Sequence, residues 1–134
     1  MRTTNDEETP TVLTVGASPT MRERMWHARD RDRGFRLLEA DDQMEAISIL
    51  GDVAPAVLIV NLAMRSGSPI GVADYASYRR PGIRILYEMG EGIRGFEDGS
   101  IFTHCVNAHG CVTPSMRAGD MAAVVAHHAF AQAA

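Results

Sequence analysis

The sequence predicts an α/β protein, a doubly wound parallel sheet of five short strands with helices on both faces. Three observations predict it. Short β-branched runs alternate with amphipathic helical stripes along the chain, and parallel neighbours need crossovers that helices supply. Val57-Leu-Ile-Val60 is apolar at every position, the mark of a strand covered on both faces. Ser, Asp, Pro and Gly stand at the joints, where caps and turns need them.

In order, residues 1–10 are polar, lack apolar periodicity and read as a flexible tail; residues 11–131 read as a single domain. Thr11–Val15 is the first strand. Ser18 can cap the helix that follows and Pro19 suits its first position, where a missing N–H costs nothing. Met21, Met25 and Ala28 give that helix an apolar stripe, ending before Gly34. Phe35–Glu39 is the second strand. Asp41 and Asp42 offer caps, and Met44, Ile47 and Leu50 mark a helix closed by Gly51. Val57–Val60 is the third strand, with Asn61 at its carboxyl end and a Ser- and Gly-rich loop over 62–69. Val72–Tyr78 is helical and Arg80-Pro81-Gly82 ends it. Ile83–Tyr87 is the fourth strand. Residues 91–104 carry Gly92, Gly95 and Gly99, which weaken a helix there. Cys111–Thr113 is the fifth strand, stopped by Pro114, and Met121, Val124, Val125 and His128 mark the last helix. Ligands of such a sheet bind outside the carboxyl ends of its strands. That directs attention to Gly16, Ala17, Asn61, Tyr87, Glu88, Thr113 and Pro114.

Composition excludes several functions. The chain has 134 residues, the size of one domain, so no separate effector module is expected. A hydrophobic share of 46% and a charged share of 22% exclude wholesale disorder. No stretch approaches the ~18 apolar residues of a membrane span, and no basic and apolar leader is expected. A cytoplasmic location with no membrane partner is expected. The net charge of −4 argues against a nucleic-acid partner. Cys105 and Cys111 are too few for a secreted disulfide scaffold. The eight methionines against one tryptophan point to a core packed with adaptable side chains.

From Thr11 to about Phe130 the chain resembles a response-regulator receiver domain, a degenerate, CheY-like one. The resemblance rests on Pro55-Ala-Val-Leu-Ile-Val-Asn-Leu-Ala-Met64, on Ala40-Asp-Asp-Gln-Met-Glu-Ala46, on Arg80-Pro81 before strand four, and on Val112-Thr113-Pro114. It implies the flavodoxin-like strand order 2-1-3-4-5. The family transfers a phosphoryl group from a kinase histidine to an aspartate ending strand three. Acidic groups after strand one hold Mg²⁺, and a hydroxyl after strand four and a lysine after strand five contact the phosphoryl oxygens. Here Asn61 stands at the nucleophile position and Gly16 and Ala17 at the acidic ones. Glu88 takes the hydroxyl position. Thr113 stands at the lysine position, or the lysine is deleted. Together these departures remove the charge balance that phosphoryl transfer requires. The resemblance implies a pseudo-receiver that is not an enzyme, has no cofactor or metal, and acts in bacterial two-component or phosphorelay signalling through protein contacts.

The expected partners are a sensor kinase, a phosphotransfer protein, an effector or a second copy in a homodimer. The family's usual partner face includes strand five and the helices flanking it; here that face would include the segment after Glu91 and Met121, Val125 and His128. The alternative is a small-molecule sensor, its ligand in the carboxyl-end crevice, which Gly16 and Ala17 make roomier. Asn61 is expected to satisfy backbone groups at its strand end. Glu88 either bonds Asn61 or is a solvated loop carboxylate. His104, Cys105, His109 and Cys111 crowd one stretch, but their spacing fits no standard zinc motif and Cys111 is expected to face into the sheet. His27 is expected at the core edge, and His127 and His128 on different faces of their helix. The alternating charges over 29–33 read as a solvated helix end, and Gly90, Gly92 and Gly95 form no dinucleotide fingerprint.

Overall fold

The computed structural model describes residues 9–90 and 108–131. Its elements run β1 (Thr11–Val15), α1 (Pro19–Ala28), β2 (Arg36–Ala40), α2 (Gln43–Asp52), β3 (Val57–Asn61), α3 (Pro69–Arg79), β4 (Arg84–Glu88), β5 (Ala108–Val112) and α4 (Ala118–Ala131). The five strands form one parallel sheet in the order β2-β1-β3-β4-β5, as expected. The residues between β4 and β5 that read least clearly in the sequence, 91–104, lie outside the described residues, as does most of the 1–10 tail.

The three helices that follow β1, β2 and β3 start where local caps dictate. Ser18 Oγ accepts from the Met21 N–H at 3.2 Å, with Pro19 behind it. Asp42 accepts from Glu45 N–H at 2.8 Å while Glu45 reaches back to Asp41 N–H at 2.7 Å, a variant of the capping box. Ser68 accepts from Gly71 N–H at 2.9 Å. Ser68-Pro69 therefore repeats the Ser18-Pro19 start, and α3 begins at Pro69, earlier than the expected Val72. Arg79 and Arg80 donate to the carbonyls of Gly51 and Leu50, meeting acceptors left open at the end of α2.

Strand alternation sorts the core into two layers. Leu13, Val15, Leu58, Val60, Ile85 and Tyr87 pack with Leu50, Val72 and Ala76 of α2 and α3. Val12, Val57, Ile59, Leu86 and Val112 pack with Met21 and Met25 of α1 and Met121 and Val125 of α4. All of β3 is buried, as its unbroken apolar run predicted. Each fully buried Leu, Ile, Val or Met contributes roughly 1.5–3 kcal/mol.

The fifth strand differs from its expected span, Cys111–Thr113. It begins at Ala108, and its pairing with β4 is bulged: Ile85 pairs Ala108, but Leu86 pairs Gly110. His109 is the extra residue. Its Nδ1 accepts from the Ile85 N–H at 2.9 Å, satisfying a donor at the irregularity. The pleat after the bulge buries Val112 and turns Cys111 outward, so Cys111 is exposed rather than directed into the sheet. No helix among the described residues is long and apolar enough to cross a membrane.

Candidate functional site

The carboxyl ends of β1, β3 and β4 meet at Gly16, Asn61 and Glu88. Gly16 leaves β1 with φ +64°, a left-handed conformation that favours glycine. Its N–H donates to Ala40 O at 2.8 Å, and its carbonyl accepts from Asn61 Nδ2 at 2.9 Å. Asn61 Oδ1 accepts from the Ala63 N–H at 2.9 Å. Both ends of this amide are thus committed to backbone, as expected for a buried asparagine. The roomier crevice expected at Gly16 is not found. A Cβ built on Gly16 would lie 2.7 Å from Met64 Cβ, so the Met64 side chain occupies that space. Ala17 is half-buried against the α1 and α4 layer.

Glu88 contradicts both of its expected placements. It is 1% exposed, so it is no solvated carboxylate. Nor does it bond Asn61, whose amide is already engaged. Glu88 Oε1 instead accepts from the Ser18 N–H at 3.3 Å, and the Ser18 hydroxyl also faces the carboxylate. Burial pushes its pKa above the usual carboxylate value, and the contacts with Ser18 oppose that shift. Ser18 thereby caps α1 and holds the acid that ends β4. The sequence showed the cap; the second task depends on contact across the end of β3, for which local sequence carries no signal.

Thr113 and Pro114, just beyond β5, border an open cavity of about 490 Å³ that Thr20, Arg24, Met89 and Ser115 also line. Arg24 Nε donates to Pro114 O at 3.3 Å, and the Thr113 and Ser115 hydroxyls share a hydrogen bond of 2.9 Å. Gly16, Asn61 and Glu88 are not among the lining residues. The structure therefore separates the expected strand-end positions into a filled part at β1 and β3 and an open part beside β5.

The residues expected at a partner face also part company. Met121 and Val125 are buried against α1, at 0% and 1% exposure, because they form the apolar stripe that seats α4. His128 alone of the three keeps solvent contact, half-buried with Nε2 close to Gly110. Its ring stands edge-on to exposed His127, with centroids 5.1 Å apart, so the two neighbours are less separated than expected. His27 is exposed rather than at the core edge, next to Trp26, over which Arg29 stacks at 3.7 Å. His104 and Cys105 lie outside the described residues. No group of three His, Cys, Asp or Glu side chains suited to a metal occurs among the described residues.

No protein-family model matches the chain, and no curated protein matches it. Solved structures do. A CheY-like response regulator receiver domain protein from Methanospirillum hungatei JF-1 superposes with a TM-score of 0.76 at 12% identity, covering 93% of this chain and 97% of that one. The chain has the receiver-domain fold. The receiver fold is shared with the signal receiver domain of a putative Luxo repressor protein from Vibrio parahaemolyticus, TM-score 0.75 at 16% identity, with 93% of each chain covered. It is shared also with a LuxR-family two-component response regulator from Aurantimonas sp. SI85-9A1, TM-score 0.72 at 18% identity, covering 92% of this chain and 86% of that one. On this receiver fold Gly16, Asn61 and Glu88 stand at the carboxyl ends of β1, β3 and β4, and Thr113 follows β5.

Proposed function

We propose that the protein is a non-catalytic pseudo-receiver that acts in bacterial two-component or phosphorelay signalling by binding another protein. One observation carries the reading. The residue that ends β3 is an amide with its donor on Gly16 O and its acceptor on Ala63 N–H, beside a Gly-Ala pair without side-chain oxygens. Among the described residues there, the Asn61 amide is a poor nucleophile and Gly16 and Ala17 supply no carboxylate for Mg²⁺. The partner is a sensor histidine kinase, a phosphotransfer protein, an effector or a second copy of the chain.

Intact mass spectrometry after incubation with acetyl phosphate and Mg²⁺, or with a phospho-donor kinase, tests the chemical half. The mass is expected to stay unchanged; a stable gain of one phosphoryl group overturns the reading. Affinity capture from the native cell tests the other half, with a two-component protein expected in the bound fraction.

The cavity beside Thr113 and Pro114 favours a second reading, in which a small molecule replaces phosphorylation as the trigger. It lies outside the carboxyl ends of the strands, where sheets of this kind bind ligands.

A further inference from the structure

We infer that the cavity between α1 and the turn after β5 binds a small organic oxyanion, a phosphomonoester or carboxylate with an apolar body. The inference rests on the ligand-sensing reading and adds the chemical class of the ligand. Among the described residues lining the cavity, Arg24 alone carries a formal charge. A guanidinium has five N–H donors in a planar fork suited to a carboxylate or phosphate. The hydrogen bond from Nε to Pro114 O orients that fork, and among the described residues the terminal nitrogens make no further hydrogen bond.

Hydroxyls complete the polar side. Thr20 Oγ1 makes no hydrogen bond among the described residues, while Thr113 and Ser115 are bonded to each other. Such a pair needs only one donor for its mutual bond, so the other hydroxyl proton is available to an oxyanion. Thr20 lies in the first turn of α1, where partial positive charge also favours an anion. The nearest buried acid, Glu88, is occupied by Ser18 and does not line the cavity.

Apolar groups line the cavity too. Met89 and Pro114 supply a thioether and a ring, and methionine sulfur makes favourable contacts with aromatic groups. A volume of about 490 Å³ exceeds what a bare inorganic ion fills and falls within the range of small-molecule sites. The ligand is therefore a head of negatively charged oxygens on a compact apolar or aromatic body.

Titration calorimetry and amide chemical-shift mapping on the full chain test this, with phenyl phosphate, benzoate, inorganic phosphate and neutral benzyl alcohol as probes. Phenyl phosphate is expected to bind more tightly than inorganic phosphate, and benzyl alcohol not to bind. The shifted amides are expected at Thr20, Thr113 and Ser115. Arg24→Gln is expected to weaken phenyl phosphate about tenfold, the range of one charge-assisted hydrogen bond. Because Arg24 also contacts Pro114, Thr20→Val serves as an independent variant, expected to weaken binding with no change in melting temperature. Benzyl alcohol binding as tightly as phenyl phosphate would overturn the oxyanion class while leaving ligand sensing intact. Absence of binding by every anion, or unchanged affinity in both variants, would overturn the site.

Discussion

Asn61 and Glu88 show what single residues decide here. Asn61 donates through Nδ2 to Gly16 O. An Asn61→Asp variant replaces that donor with a carboxylate oxygen facing a carbonyl, at a position only 9% exposed. It is expected to lose ~1–3 kcal/mol in urea unfolding, the usual cost of a lost and opposed buried hydrogen bond. It is also expected to remain unphosphorylated, since Gly16 and Ala17 still offer no metal ligand. Glu88 adds a pH dependence. Burial raises its folded-state pKa above the reference value of 4.5, so the folded state holds the proton more tightly than the unfolded chain. Its contribution is therefore most favourable below about that reference value and declines as the pH rises toward the raised value. Glu88→Gln removes the ionisation. Its stability relative to the wild type is expected to improve as pH climbs through that window, and parallel pH profiles of the two would contradict the assignment. The backbone role of Asn61 was legible in the sequence, because a strand-end amide has few other uses. The partner of Glu88 was not, since Ser18 lies 70 residues away in the chain.

Among the elements, helix starts were legible and β5 was not. Ser18-Pro19 and Asp42 act through bonds to residues three positions on, so a short window of sequence contains the whole cause. The extent of β5 depends instead on its register with β4, and the bulge at His109 shifts that register. His109 Nδ1 accepts from the Ile85 N–H, which it can do only while it keeps its lone pair. Burial first, and then the positive charge of Arg84, pushes its pKa below 6.5. The folded state thus binds fewer protons than the unfolded chain in the window beneath that value. The contribution of the bulge is full above about pH 6.5 and lost as pH falls through the lowered folded-state pKa. His109→Ala is expected to cost ~1–3 kcal/mol by leaving the Ile85 amide without its acceptor. In hydrogen exchange, the Ile85 amide should lose protection relative to Leu58, whose strand has no such bulge; equal protection in the variant would show that another group meets the amide.

At the scale of the whole molecule, two apolar layers fix the sheet independently of the groups at its strand ends. Each strand from β1 through β4 sends alternate residues to α2 and α3 on one side and to α1 and α4 on the other. The two-sided cover of β3 was readable from its unbroken apolar run, whereas the burial of Met121 and Val125 was misjudged because one apolar stripe reads alike against a core and against a partner. The division of labour has a thermodynamic consequence. In a receiver with carboxylates after β1 and at the end of β3, bound Mg²⁺ would stabilise the folded state, by ~2.7 kcal/mol at about 100 times the dissociation constant. On the proposed reading Gly16, Ala17 and Asn61 hold those places, and Glu88, the acid at the neighbouring strand end, is buried against Ser18 with its ionisation disfavoured. A hard divalent cation needs several oxygen ligands and keeps much of its own water, so the proposed reading expects this corner to offer it no gain over solvent. Melting temperature is expected to be the same in millimolar Mg²⁺ as in chelator at matched ionic strength. A rise of several degrees that Asn61→Ala or Glu88→Gln abolishes would mean that the strand ends still gather around a cation, and would return phosphoryl chemistry to this fold.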